Sequence, residues 1–168
     1  MRPLGIDDTL NALLACVSDA LDPAPCSVST TVGTPAIGDC CDCGDGQGEL
    51  WGNLNRVFRY EERGIIDAAM QKPCAPVQWA AEFRIALTRC FPAMDQYGRV
   101  SAEAQAEAAS RLHADLASFH RAIHCCGETA TPYLADIGIE TDPEGGCSIL
   151  VATVRVPVSL KPSMNAAS

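Results

Sequence analysis

The residues with the clearest capacity for chemistry are ten cysteines and three histidines in a chain of 168 residues. Cys40, Cys41 and Cys43 fall within four positions of the stretch "GDCCDCGDGQGELWGNLNRVFRY". Thiols at that density suggest a metal site, a disulfide knot, or a turn that enters a strand. Tetrahedral zinc needs four thiolate or imidazole ligands, often as paired CxxC knuckles. The spacing here is CCxC, and the chain has no second CxxC. A metal set would need Cys40, Cys41 and Cys43 to be completed from elsewhere, for example by His124 and Cys126. The spacing argues for free thiols or late disulfides over a metal. No cofactor and no catalytic residue is expected.

The other chemical signals are weaker. His113, His120 and His124 share one stripe of a helix, about 80–120° from its apolar stripe. His120 and His124 are an i, i+4 pair, but Arg121 stands where a metalloprotease helix carries its general-base Glu. A solvated or interface-facing helix edge is the expected reading. Cys125–Cys126 is a vicinal pair without the CxxC geometry that tunes thiols in oxidoreductases. The "GDGQG" run at 44–48 has neither the Lys nor the helix of a phosphate loop. Asp39, Asp42 and Asp45 are spaced by three, not by two as in a calcium loop. No Gly-x-Ser-x-Gly elbow or Walker pattern occurs, so an enzyme is not expected.

The elements that position these residues follow from periodicity. Residues 7–22 predict an amphipathic helix with Leu10, Leu13, Leu14, Val17 and Leu21 on one face, started by Asp7 or Asp8 and ended by Pro23. Residues 23–47 read as loop, with a short strand near Cys26–Val32. Residues 48–60 read as a strand with Leu50, Gly52, Leu54, Phe58 and Tyr60 of one parity. Residues 61–75 are a connection. Residues 77–90 alternate: Trp79, Ala81, Phe83, Ile85 and Leu87 inward; Gln78, Glu82, Arg84 and Thr88 outward. Good helix formers there make a helix the rival reading. Residues 101–124 predict the strongest helix, with Ser101 as N-cap, an apolar stripe of Leu112, Leu116, Phe119 and Ile123, and Gly127 as terminator. Residues 128–146 read as loop and 147–160 as a final β-branched strand. The fold class expected is α+β: a mixed, mainly antiparallel sheet packed against two helices.

Composition bounds the rest. The hydrophobic fraction of 48% and mean hydropathy of +0.06 fit a globular chain. A net charge of −9 and a pI near 4.6 argue against holding a nucleic-acid backbone by counterion release. No segment approaches the roughly 20 apolar residues of a membrane span. The N-terminal apolar run is interrupted by Asp7, Asp8 and Asn11, unlike a signal peptide, so folding in a cytoplasm is expected. That compartment favours free thiols until the protein meets an oxidising exterior.

Four pieces of the chain carry a family resemblance: the N-terminal helix and short strand of 7–32; the Cys-rich turn running into "GELWGNLNRVFRY"; "PVQWAAEFRIALTRCFPAMDQYGRVSAEA"; and "GGCSILVATVRVPV" after "HCC". In this order they resemble tail-terminator proteins (tail-completion or minor tail proteins) of long-tailed phages, especially phages of actinobacterial hosts. The resemblance implies a single domain over 1–160, a tail-terminator-like α/β sandwich, with a flexible tail at 161–168. It implies a virion protein assembled in the host cytoplasm. Six copies would form a ring that caps the head-proximal end of the tail tube and stops its polymerisation. Its partners would be the tail tube protein and a head–tail connector, with DNA passing through the lumen without specific binding and no membrane contact. The loops 61–76 and 128–146 and the strand edges are the expected contacts. Under this reading the CCDCG thiols pair with Cys74, Cys125, Cys126 or Cys147 outside the cell, and Cys90 is a buried small hydrophobe. Another head–tail connector protein, or a small Cys-rich metal-binding module, is the alternative.

Overall fold

The alternation in "QWAAEFRIALTRC" resolves as a strand, and this strand is the centre of the molecule. The computed structural model describes residues 3–33, 47–61, 64–65, 78–90, 92, 96–129, 132–142 and 147–160. The elements are α1 (Ile6–Ala20), β1 (Ser27–Thr31), β2 (Glu49–Glu61), β3 (Gly64–Ile65), β4 (Gln78–Cys90), α2 (Ala102–Cys125), β5 (Tyr133–Asp142) and β6 (Cys147–Val158). One sheet runs β1-β2-β4-β6-β5, with β3 paired to β2. Among the described residues, only the β1–β2 pair is parallel. The fold is α+β, as expected.

Both helices cover one face of this sheet. Ala81, Phe83, Ile85 and Leu87 of β4 and Leu150, Ala152, Val154 and Val156 of β6 meet Leu10, Leu13, Leu14 and Val17 of α1 and Phe119 and Ile123 of α2. Each fully buried Leu, Ile, Val or Phe contributes about 1.5–3 kcal/mol of transfer free energy. Helix α1 lies close to β2 because Gly52 has no side chain. A Cβ there would stand 2.9 Å from Leu10 Cδ1 and 3.2 Å from Leu14 Cδ2. The Ser159 amide donates to the Leu4 carbonyl at 2.7 Å, fastening the end of β6 to the start of α1.

Several expectations are corrected. Residues 128–146 are not all loop: β5 occupies Tyr133–Asp142 and pairs with β6 along its length. Ile137 and Ile139 alternate with Asp136, Gly138 and Glu140, a period-2 pattern that the surrounding turn residues masked. The single parity assigned to 48–60 fails at a register shift between Leu54 and Arg56. Leu50, Gly52 and Leu54 pair with Leu87, Ile85 and Phe83 on the helix side. After the bulge that side belongs to Val57 and Arg59, and Phe58 turns to the other face. Glu82 and Thr88 lie on the outer face as expected but are buried there.

Helix ends also differ from expectation. The N-cap of α1 is Gly5, with Asp7 and Asp8 in the first turn, where they favour the positive end of the helix dipole. Ser101 does cap α2, accepting from the Ala104 amide at 3.1 Å. Cys126 is the C-cap of α2, so Gly127 stands just past the helix end as expected, without a left-handed φ. Positive φ occurs instead at Gly33, Gly48 and Gly98. Gly48 carries weight at the entry to β2: its carbonyl accepts from the Cys26 amide at 2.9 Å, and a Cβ on it would collide with the Thr88 carbonyl.

Candidate functional site

The face away from the helices has its own chemistry. It is built from alternate residues of β2, β4 and β6. Glu82 sits at its centre, opposite Arg56 on β2 and Arg155 on β6. Glu82 Oε1 accepts from Asn55 Nδ2 at 2.7 Å and Arg56 Nε at 3.0 Å. Glu82 Oε2 accepts from Arg56 Nη2 at 2.9 Å and Arg155 Nε at 2.7 Å. The bulge at Leu54/Arg56 lets Asn55 and Arg56 address one carboxylate together. Burial alone would push the Glu82 carboxyl up. The hydrogen bonds from Arg56, Arg155 and Asn55 outweigh it and hold the pKa down, from 4.5 to about 2. The same bond raises the Arg56 guanidinium above its ordinary value.

Aromatic rings support these cations. Arg56 and Arg155 lie 5.6 and 5.9 Å from the Phe58 ring centroid, and Arg84 lies 5.7 Å from that of Trp51. Trp51, Ala86 and Ile149 form a second apolar cluster on this face. Arg56 remains more than half exposed, whereas Glu82 is almost fully buried. The outer ends of both guanidiniums are therefore presented on an ordered base.

A second ion pair lies on the helix side. Arg89, at the end of β4, donates to Asp115 of α2 through Nε at 3.0 Å and Nη2 at 2.9 Å. Both side chains are buried. Arg89 also donates to the carbonyls of Pro23 and Gln47. One side chain thus joins β4, α2, the segment after α1 and the segment before β2. A cleft of about 330 Å³ beside it is lined by Arg89, Leu112, Asp115 and Ser148, among others. In this cleft Arg89 and Asp115 already satisfy one another.

The cysteines and histidines singled out by sequence fall partly outside the described residues, and the described ones form no common site. Cys40, Cys41 and Cys43 lie outside the described residues, as does Cys74. Cys126 is joined to Cys16 in a disulfide that ties α1 to the end of α2 across 110 residues. That bond removes Cys126 as a thiolate partner for His124. It also breaks the vicinal pairing, because Cys125 is a free, exposed thiol. Cys26, Cys90 and Cys147 are disulfide-bonded as well, so Cys90 is not the inert hydrophobe expected. His113, His120 and His124 are all exposed on α2, and the rings of His120 and His124 meet at a tilt of 54° with centroids 4.5 Å apart. Among the described residues, no three His, Cys, Asp or Glu side chains are grouped to hold a metal.

The Glu82 cluster was not foreseen. Arg155 is the one charge within the β-branched run of β6, whereas Arg56 and Glu82 stand among other charges of β2 and β4 and carry no distinguishing signal. Strand register brings the three together, and register is not written in any one strand.

No protein-family model matches the chain, and no curated protein does. Among solved structures it is similar to a chain of the "Virion of native gene transfer agent (GTA) particle". The identity is 12%, with 89% of this chain and 96% of that chain covered, at a TM-score of 0.42. A likeness of that strength carries no functional weight, so function is argued from the chain's own surfaces. These surfaces define an α+β protein with helices on one sheet face and an ordered arginine cluster on the other.

Proposed function

We propose that this protein is a structural subunit of a phage-type virion. It forms a ring, of six copies in the tail-terminator arrangement, at the head-proximal end of the tail tube. The ring stops tube polymerisation and offers a surface to the head–tail connector, while DNA passes through its lumen. The role is one of interfaces and not of catalysis. The observation that carries this reading is the one-sided sheet. Three long strands present a broad face bearing Arg56, Arg84 and Arg155, and no described helix covers it. Among the described residues, β1 and β5 each have a partner on one side only, which leaves an outer edge at which neighbouring copies can meet. Edge strand β1 is exposed along nearly its whole length.

The sequence resemblance supports the same reading through the order of its elements. The disulfides fit a protein that ends in an extracellular particle. They weigh against the metal-module alternative, since Cys16, Cys26, Cys90, Cys126 and Cys147 are unavailable as thiolates while oxidised.

The test is capping. The purified chain is added to the polymerising tail tube protein of the same particle, and tube lengths and ends are measured by electron microscopy. Short tubes with a six-fold ring at one end are expected. Tubes that elongate as they do without the chain refute the reading. Native mass spectrometry on the same preparation reports copy number and metal: one zinc per chain, lost together with folding on chelation, would favour the metal module instead.

A further inference from the structure

The solvent side of α1 and the centre of the opposite sheet face carry opposite charge. From residue 6 to residue 22, α1 and its exit contain Asp7, Asp8, Asp19 and Asp22 and no Lys or Arg. All four are exposed; Asp8, Asn11, Ala15 and Asp19 follow one another along the solvent side of the helix, and Asp22 lies just past its end. No described side chain forms an ion pair with any of them. On the opposite side, Arg56 and Arg155 share the single carboxylate of Glu82, and Arg84 stacks on Trp51 beside them. The centre of that face is therefore positive in a chain whose net charge is −9. Arg155 Nη1 and Nη2 and Arg56 Nη1 have no hydrogen-bond acceptor among the described residues. By register Glu49 on β2 and Asp136, Glu140 and Asp142 on edge strand β5 stand at the rim of this face, so the positive charge is confined to its centre.

We infer that the acidic side of α1 docks onto the Arg56–Arg155 face of a second copy of this chain. The inference rests on the ring reading above and names its contact. The geometry favours a second copy over a polyanion. The complementary surface is present on the same chain, while the overall negative charge repels a phosphate backbone. Because the two surfaces lie on opposite sides of one sheet, they cannot satisfy each other within a copy. Two copies joined this way leave one acidic and one basic surface unfilled. Such a head-to-tail contact continues until a ring closes. Glu82 and Asn55 fix the guanidiniums before docking, so little side-chain entropy is lost when the neighbour's carboxylates arrive.

Two variants test this. D8K/D19K reverses charge at fully exposed helix positions and leaves the core untouched. R56Q/E82Q/R155Q removes the charges of the cluster while keeping amides able to hydrogen-bond one another; circular dichroism and thermal unfolding check its fold. Self-association of the full chain is followed by native mass spectrometry and light scattering at low and high salt. Each variant alone is expected to associate at least tenfold more weakly than the natural chain, and added salt should weaken the natural assembly. An equimolar mixture of the two variants should give a heterodimer and nothing larger, because only one competent pair of surfaces remains. Assemblies of natural size in D8K/D19K overturn the inference while leaving the ring reading intact. A natural chain that stays monomeric also overturns it, whereas failure to cap tubes overturns the ring reading. Loss of binding to a DNA duplex in R56Q/E82Q/R155Q, with self-association unchanged, would reassign the face to nucleic acid and overturn the inference.

Discussion

Replacing Asp115 by Asn isolates the largest electrostatic commitment in the core. In the natural chain the Arg89 guanidinium and the Asp115 carboxylate face each other through two bonds of 3.0 and 2.9 Å, with side chains 3% and 2% exposed. The substitution leaves Arg89 charged and buried, facing a neutral Asn oxygen where its carboxylate stood, beside the carbonyls of Pro23 and Gln47. Removing one partner of a buried pair costs about 3–5 kcal/mol. The retained amide oxygen places this variant near the lower end, about 3 kcal/mol. Against a typical stability of about 5–15 kcal/mol, that raises the unfolded fraction by about 10²-fold. The double variant R89M/D115L removes both charges and should cost less than the sum of R89M and D115L, because no lone ion remains. It still leaves the Pro23 and Gln47 carbonyls without their donor, at about 1–3 kcal/mol each if they stay dry. The assay is urea unfolding with disulfides intact, read at constant m-value. A D115N variant within about 1 kcal/mol of the natural chain, or a double variant equal to the sum of the singles, would refute the reasoning.

Three further outcomes are expected. Glu82 has a folded pKa of about 2 against an ordinary 4.5, so its contribution is complete above pH 4.5 and is lost as pH falls toward 2. Acid titration of stability should show a loss of about 2–3 kcal/mol over that window, and E82Q should flatten it. G48A should destabilise by more than about 2 kcal/mol, since φ is +65° and the new Cβ meets the backbone of Thr88. G52A should cost about 1 kcal/mol, since it meets only the tips of Leu10 and Leu14; thermal unfolding compares the two. The C16S/C126S variant should lose about 2–4 kcal/mol, because the bond closes a long loop of the unfolded chain. Without reductant, peptide mapping after alkylation should find Cys125 labelled and Cys16 and Cys126 protected.

Much of the fold could be read from local pattern. The run Trp79 to Leu87 predicted both the strand and its buried parity, and Leu10 to Val17 did the same for α1. Ser101 marked the start of α2 because a hydroxyl at an N-cap acts within a few residues of itself. The strand within 128–146 was legible in the alternation of Ile137 and Ile139 with Asp136, Gly138 and Glu140, but Gly, Pro and Asp residues on both sides of it gave the segment the composition of a loop. The parity of β2 was misread beyond Leu54 because a bulge is a relation between two strands and leaves no mark in one.

The sequence by itself determined the class of the molecule: two amphipathic helices, long alternating strands and an acidic balance. Those features depend on neighbours a few residues apart, so their physics is local. Only the tertiary structure decided which charges meet. Arg56, Glu82 and Arg155 come from three strands, and Arg89 reaches Asp115 on a helix and carbonyls near both ends of a long connection. Cys126 joined Cys16, not the histidine two positions before it. Electrostatic pairs and disulfides act at a few ångströms in space at any separation along the chain, and the register of the sheet sets those distances.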